Sequence, residues 1–341
     1  MENNSTTIHD IAKALGIDSS TVSRALNNSN RVSIKTKQKI LAKANELGYQ
    51  RNVLASNLRK SRTNTIGVIV PRISRHFFSS AISGIEETAF KEGYNVIICQ
   101  SLEQFEREQN LVQTLVANRV DGLIMSISME TLSYKHLEGL DKHGTPVLIF
   151  DRHCDLPGPN NVLLDDFKGG FDATSHLISQ GCTHIVHFSG PDSLRVYKNR
   201  LEGYKAALEK HGLPFRENFV LNSRLMTEDG VSLSEKVLAL PEKIDGIFSA
   251  NDVAAISAMQ NLKKKGVRIP EDIAIIGFSN EPISSVIEPS LSTMDQSGSE
   301  MGKLAATLLL KQIKNRASEK KVETIIINPT LIVRNSSKKK S

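Results

Sequence analysis

The run Thr7-Ile8-His9-Asp10-Ile11-Ala12-Lys13-Ala14-Leu15-Gly16-Ile17-Asp18-Ser19-Ser20-Thr21-Val22-Ser23-Arg24-Ala25-Leu26-Asn27 decides how the chain begins. Ile8, Ile11, Ala12 and Leu15 recur at i, i+3, i+4 and i+7, so they line one face of a helix that Gly16 ends. Asp18 suits the N-cap of a second helix starting at Ser19, because a carboxylate there accepts the free N–H groups of the first turn. Val22 and Leu26 turn that second helix inward. Two short helices joined through a glycine turn make a helix-turn-helix. The outward face of the second helix carries Ser20, Arg24 and Asn27, with Ser19 and Ser23 beside them, a polar surface slim enough for a major groove. Arg24 is its best base reader, since a guanidinium fork pairs with guanine O6 and N7 and such a contact gives about 1–3 kcal/mol of discrimination.

A third helix follows, with Ser33 as N-cap, Ile40, Leu41, Ala44 and Leu47 as the expected buried stripe and Gly48 just past its end. Lys35, Lys37 and Lys39 project from its first half. Residues 1–62 hold eleven basic and four acidic groups, an excess of seven, while the whole 341-residue chain has a formal net charge of only +6. The positive excess therefore sits entirely on the small N-terminal module, as a phosphate-binding head on a near-neutral body requires.

A chain of this length exceeds one core and suits a small head plus a body of two lobes. No apolar run reaches the ~18 residues of a membrane span and the polar start has no signal-peptide core, so the expected location is the cytoplasm. Cys99, Cys154 and Cys182 are odd in number and widely spaced, which indicates neither a disulfide framework nor a structural zinc site.

After a polar linker at 61–65 the pattern changes to short apolar strands alternating with amphipathic helices. Strands are expected at 66–70, 96–99, 122–127 and 147–150, with helices near 77–92, 103–118 and 131–143. A second set is expected at 162–164, 184–189, 219–222, 246–249 and 273–278. Such alternation means parallel sheets with right-handed crossovers, hence an α/β body of two doubly wound lobes behind the all-α head. Ligands of such sheets sit beyond the carboxyl ends of the strands, and a cleft between two lobes is the natural pocket. The residues that follow strand ends include Ser74, His76, Phe77 and Phe78, then Asp151 and Arg152, Asn251 and Asp252, and Ser279 and Asn280. Carboxylate, amide, guanidinium and aromatic groups together suit a polyhydroxylated ligand, although a loop cap or helix N-cap is an equally good reading of any one of these residues, Asp252 in particular.

Over essentially its full length the chain resembles the LacI/GalR family of transcriptional regulators. The resemblance is carried by Ile8-His9-Asp10-Ile11-Ala12 running on to Ser20-Thr21-Val22-Ser23-Arg24-Ala25-Leu26-Asn27, by Val32-Ser33 and Gly48-Tyr49, and by Asn118-Arg119-Val120-Asp121-Gly122. Arg200-Leu201-Glu202-Gly203-Tyr204, Ser249-Ala250-Asn251-Asp252 and Pro270-Glu271-Asp272-Ile273-Ala274 complete it. The resemblance implies a repressor that binds a pseudo-palindromic DNA operator as a homodimer, with a periplasmic-binding-protein-like body sensing a small molecule. That effector is expected to be a sugar or sugar derivative, with a nucleobase as the alternative. DNA contacts are implied for Thr7, Ser19, Ser20, Thr21, Ser23, Arg24, Asn27 and Ser33 in the head, and for Asn52, Ala55 and Leu58 in a hinge helix at about 52–59. Leu58 holds the position of the leucine that wedges into the minor groove. Effector contacts are implied for Phe77, Phe78, Asp151, Arg152, Arg200, Phe248, Asn251 and Ser279, the last standing where the family commonly has aspartate. The implied domains are a head at 1–60, lobe one at 66–160 and 293–322, and lobe two at 161–292 and 323–335.

Two other classes fit less well. A sugar-transport protein would share the body but needs an export signal and no DNA head. An enzyme would need a catalytic motif, and no GxGxxG after a strand, GxxxxGK[ST], HExxH or GxSxG is present. No cofactor or metal is expected. The tail Asn335-Ser336-Ser337-Lys338-Lys339-Lys340-Ser341 has no leucine heptad, which favours a dimer over a tetramer.

Overall fold

The structure, a computed structural model, describes residues 6–49, 62–315 and 322–338. The chain divides into two compact units, Met1–Thr63 and Asn64–Ser341. The expected hinge positions Asn52, Ala55 and Leu58 lie outside the described residues.

The first unit is three helices, α1 (Ile8–Leu15), α2 (Ser19–Leu26) and α3 (Ile34–Glu46). Ile11, Val22 and Ile40, one from each helix, are fully buried and form the centre of its core with Ala12, Ala25, Val32 and Ala44. Gly16 ends α1 in the left-handed region at φ 65°, which L side chains rarely adopt. Ser33 caps α3 by accepting from Thr36 N–H at 3.2 Å. Asp18 occupies the N-cap position of α2 with extended backbone, but its side chain makes no cap bond. Leu41 corrects the expected stripe. It lies one step round from Ile40, Ala44 and Leu47, and 50 % of it is exposed, because only one ~100° arc of a helix can face so small a core.

The body holds two six-stranded sheets. Sheet one contains β1 (Thr65–Val70), β2 (Asn95–Gln100), β3 (Gly122–Met125), β4 (Val147–Asp151), β5 (Asn160–Leu164) and β11 (Thr324–Ile327), in the order β11-β5-β4-β3-β1-β2, all parallel. Sheet two contains β6 (Ile185–Ser189), β7 (Val220–Asn222), β8 (Gly246–Ser249), β9 (Ala274–Phe278), β10 (Ser292–Asp295) and β12 (Thr330–Ile332), in the order β12-β10-β9-β8-β6-β7. Only the β10–β12 pair in sheet two is antiparallel. Central strands such as β1, β3 and β9 read as apolar runs because helices cover both faces of a parallel sheet.

Three particulars differ from the sequence reading. The strand at 162–164 was expected in the second lobe, but β5 pairs with β4 and belongs to sheet one. Late in the chain, β10 joins sheet two and β11 joins sheet one, opposite to the expected 293–322 and 323–335 split. These strands have four or five residues each, too few for a period to identify. The segment 131–143 is not an α-helix and contains only the 3-10 turn Lys135–Leu137. Buried Glu108 accepts from Ser128 N–H and from the Thr131 hydroxyl and lies 2.9 Å from His136 Nε2, so side-chain bonds rather than a helical ladder hold this loop.

Each lobe is closed by a pair of helices in very close approach. In lobe one α4 (His76–Lys91) meets the late helix α10 (Gly298–Lys314), and a Cβ on Gly302 would lie 2.0 Å from the Ala81 carbonyl oxygen. In lobe two α6 (Asp166–Ser179) meets α7 (Arg195–Lys210), and a Cβ on Gly170 would lie 2.1 Å from the Arg200 carbonyl oxygen. Neither clash can be relieved by a rotamer change, since the obstructing atom is backbone. Gly302→Ala is therefore expected to lower unfolding free energy by about 1–3 kcal/mol through overpacking, read as a drop in the urea midpoint. An unchanged midpoint would show that the two helices have room to part.

Candidate functional site

In the head, the outward side of α2 is the candidate DNA surface. Arg24 is exposed, and its guanidinium has no hydrogen-bond or ion-pair partner among the described residues. Ser20 is also exposed, with Thr21 and Ser23 half-buried beside it. Other expected contacts are already engaged inside the head. Ser19 Oγ lies 2.9 Å from His9 Nδ1, tying α2 to α1. Thr7 donates its N–H and its hydroxyl to the Asp10 carboxylate, at 2.8 and 2.7 Å. Those two bonds hold the Asp10 carboxyl below its usual range. Asn27 Nδ2 donates to the Ser23 carbonyl at 2.7 Å, and Ser33 is the cap of α3. Lys35 and Lys39 stand exposed on α3, whereas Lys37 is bound to the Asn28 side chain and carbonyl.

In the body, a cavity of about 300 Å³ lies beyond the carboxyl ends of the strands of both sheets. Seven of the eight expected effector residues line it: Phe77, Phe78, Asp151, Arg152, Arg200, Asn251 and Ser279. Phe248 does not. It is fully buried within β8, its ring stacked on His187 at 4.6 Å, and its carbonyl accepts from His187 Nδ1 at 3.0 Å. Burial brings the His187 pKa down to about 3, so the imidazole is a neutral core group.

Lobe one supplies the wall that begins at the end of β1. Phe77 and Phe78 open α4 and pack edge to face at 5.1 Å. Arg152, just past β4, is nearly buried and grips Glu103 with two bonds of 2.7 and 2.9 Å while donating to the Ile127 carbonyl. Burial opposes ionisation of Glu103, yet the Arg152 bonds and charge, with the Met129 N–H and the Arg72 charge adding, hold its carboxyl below the usual range. Asp151 accepts from the Ser126 hydroxyl at 3.1 Å, and burial pushes its carboxyl up despite the neighbouring arginines.

Lobe two supplies the facing wall, centred on Arg200. Its Nε donates to Asp166 Oδ1 at 2.8 Å, its Nη1 to the Ala250 carbonyl at 2.7 Å, and its guanidinium lies 3.6 Å from the centroid of the Phe278 ring. Five N–H groups on one guanidinium leave donors for a ligand after these bonds. Burial raises the Asp166 carboxyl to about 6 against the opposing charge of Arg200. Asn251 and Asp252 divide the work the sequence left open between them. Asn251 is the N-cap of α9 (Asp252–Lys264), accepting from Ala254 N–H at 2.9 Å. Asp252 is fully buried, receives Thr293, Ser284 and the Glu281 N–H, and is raised by burial to about 6. Ser279 accepts from Gln296 Nε2 at 3.2 Å, so an amide stands beside the hydroxyl at this strand end.

Backbone strain marks the same place. Glu103 and Asp151 have φ 66°, and Ser279 has φ 117°, a region almost reserved for glycine. The sequence reading did not single out Arg72, Arg75, Glu103, Tyr197, Arg224 or Gln296, which also line the cavity. The available signal was position alone: Arg72 and Arg75 follow β1 in the same loop as Ser74 and His76. No group of three or more His, Cys, Asp or Glu among the described residues could hold a metal ion, and no helix there is long and apolar enough to cross a membrane.

Comparison with known proteins places these features. Residues 7–52 match the model of bacterial regulatory proteins of the lacI family, and residues 63–336 match that of periplasmic binding proteins and the sugar-binding domain of the LacI family. The HTH-type transcriptional regulator DegA of Bacillus subtilis is 34 % identical over 97 % of this chain and 98 % of its own. The ribose operon repressor of Halalkalibacterium halodurans is 33 % identical over 91 % of each. A crystal structure of a periplasmic binding protein/LacI transcriptional regulator from Alkaliphilus metalliredigens, complexed with D-xylulofuranose, superposes with TM-score 0.71 at 30 % identity, covering 80 % of this chain and 99 % of that one. With a helix-turn-helix head matched by one family model and a two-lobed body matched by the other, the chain belongs to the LacI family of bacterial regulatory proteins.

Proposed function

We propose that the chain is a cytoplasmic transcriptional repressor that binds a pseudo-palindromic operator as a homodimer and is controlled by a small, hydroxyl-rich effector in the cleft of its body. The observation that carries this reading is the pairing, on one chain, of an uncommitted Arg24 on an exposed helix face with a polar cleft between two lobes. The charge partition supports the DNA role, since the head holds the chain's whole positive excess. The cleft's mixture of carboxylate, amide, guanidinium and aromatic groups supports a sugar-like ligand, the class bound by the Alkaliphilus relative. A second copy would cover β2, one of the two edges of sheet one, where Ile97 and Ile98 are each 41 % exposed. The work of the cleft is binding and coupling, not bond making: occupancy changes the arrangement of the lobes, and that change is linked to operator affinity.

A selection of duplexes from a random pool by the full chain, followed by titration of the enriched sequence, tests the DNA half of this reading. Arg24→Ala is expected to weaken operator binding by about 1–3 kcal/mol and to relax preference at one base in each half-site. Lys35→Ala and Lys39→Ala are expected to weaken binding evenly across sequences and to reduce the salt slope by about one unit each. No enriched sequence, or an affinity indifferent to salt, would contradict the assignment of the head. Leu58→Ala tests the hinge position and is expected to weaken operator binding while leaving effector binding unchanged; parental operator affinity in that variant would show that Leu58 does not enter the groove.

A further inference from the structure

We propose that the effector is a phosphate ester of a small sugar, its phosphate held at the cleft mouth by Arg72 and Arg75 of lobe one and Arg224 of lobe two. This inference rests on the reading of the cleft as the effector site and goes beyond it by naming the ligand's charge. The cavity is lined by five arginines, and they fall into two groups. Arg152 and Arg200 are buried, and their charges are paired with Glu103 and Asp166. Arg72, Arg75 and Arg224 are half-buried or exposed, and none has an ion pair within 4 Å among the described residues.

Arg75 is the most telling of the three. Its Nη2 reaches across from lobe one and lies 3.4 Å from Met226 Sδ, two residues beyond Arg224 of lobe two. A thioether is a weak acceptor, so this guanidinium crosses the cleft and finds no charge to meet it. Arg72 sits near enough to Glu103 to help keep it ionised, but Glu103 already gives both its oxygens to Arg152.

None of the acids of the lining pairs directly with these cations. Asp252 is consumed by Thr293, Ser284 and the Glu281 N–H, and Asp151 by Ser126 and the neighbouring Arg152. Glu228 and Glu281 also border the cavity, and neither pairs with any of the three arginines. Carboxylates with free oxygens are the acceptors that sugar hydroxyls need. A cleft of about 300 Å³ is at the lower end for ligand pockets and fits a monosaccharide-sized body. A phosphate monoester carries about −1.5 to −2 charges and three strong acceptor oxygens, enough to engage guanidinium groups from both lobes at once, where one carboxylate is satisfied by a single bidentate arginine. Bridged in this way, the anion draws the lobes together.

The test measures binding of matched pairs to the full-length chain by calorimetry: ribose and ribose 5-phosphate, glucose and glucose 6-phosphate, fructose and fructose 6-phosphate, with glucuronate as the carboxylate arm. At least one ester is expected to bind about tenfold or more tighter than its parent sugar, with the preference shrinking as salt rises. Arg224→Ala, at an exposed position that leaves the fold intact, is expected to remove most of that preference, as are Arg72→Ala and Arg75→Ala, and lysine at the same positions to restore part of it. The ligand-free melting temperature of each variant checks its fold. Parent sugars that bind as tightly as their esters, losing affinity in Arg200→Ala but not in Arg224→Ala, would overturn the phosphate proposal and leave the cleft as a neutral-sugar site. Glucuronate binding as tightly as the best ester would overturn the choice of phosphate. Binding of none of the seven compounds would remove both the proposal and the sugar reading on which it rests.

Discussion

One buried guanidinium organises the second wall of the cleft. Arg200, only 4 % exposed, joins four pieces of lobe two: its own helix α7, the start of α6 through Asp166, the end of β8 through the Ala250 carbonyl, and the end of β9 through the face of Phe278. Such a pair gains little net stability, because desolvating both charges offsets much of their attraction. Its role is geometric. Asp166 stands two residues beyond β5, where the chain first leaves sheet one for sheet two, so the ion pair ties the cleft floor to the segment that joins the lobes. Gly170 makes this possible, since any side chain there would meet the Arg200 backbone. A ligand that takes up the remaining donors of Arg200 therefore meets a group already tied to the segment that joins the lobes.

Much of this was legible in the sequence because it is periodic or chemically rare. The head could be read from Ile8, Ile11, Ala12 and Leu15 and from Gly16, and each takes its expected place. The body's early strands were legible for the same reason, as apolar runs between amphipathic helices. What escaped depends on partners distant in the chain. β5, β10 and β11 are short strands whose sheet is chosen by tertiary pairing, and the loop at 131–143 is held by Glu108, more than twenty residues away. Leu41 was misplaced because it adjoins a true core residue on the helix surface.

The site shows the same division. Strand-end position located Asp151, Arg152, Asn251 and Ser279, and family resemblance added Arg200. Neither could show that Phe248 turns into the core, that Asn251 rather than Asp252 caps α9, or that Glu103 is the partner of Arg152. Those facts are about which groups meet, and such meetings are visible only in three dimensions. The same holds for Arg72, Arg75 and Arg224, which are unremarkable in the sequence and become informative once the other lining arginines are seen to be paired.

Linkage joins the charged head to an arginine-lined, ligand-sized cleft, and linkage can be measured directly. Operator affinity of the full chain, determined with and without each compound that binds the cleft, is expected to shift about 5–150-fold for at least one of them, and Arg200→Ala is expected to abolish the shift. A cleft ligand that binds the chain fully yet leaves operator affinity unchanged would contradict the coupling on which the account depends.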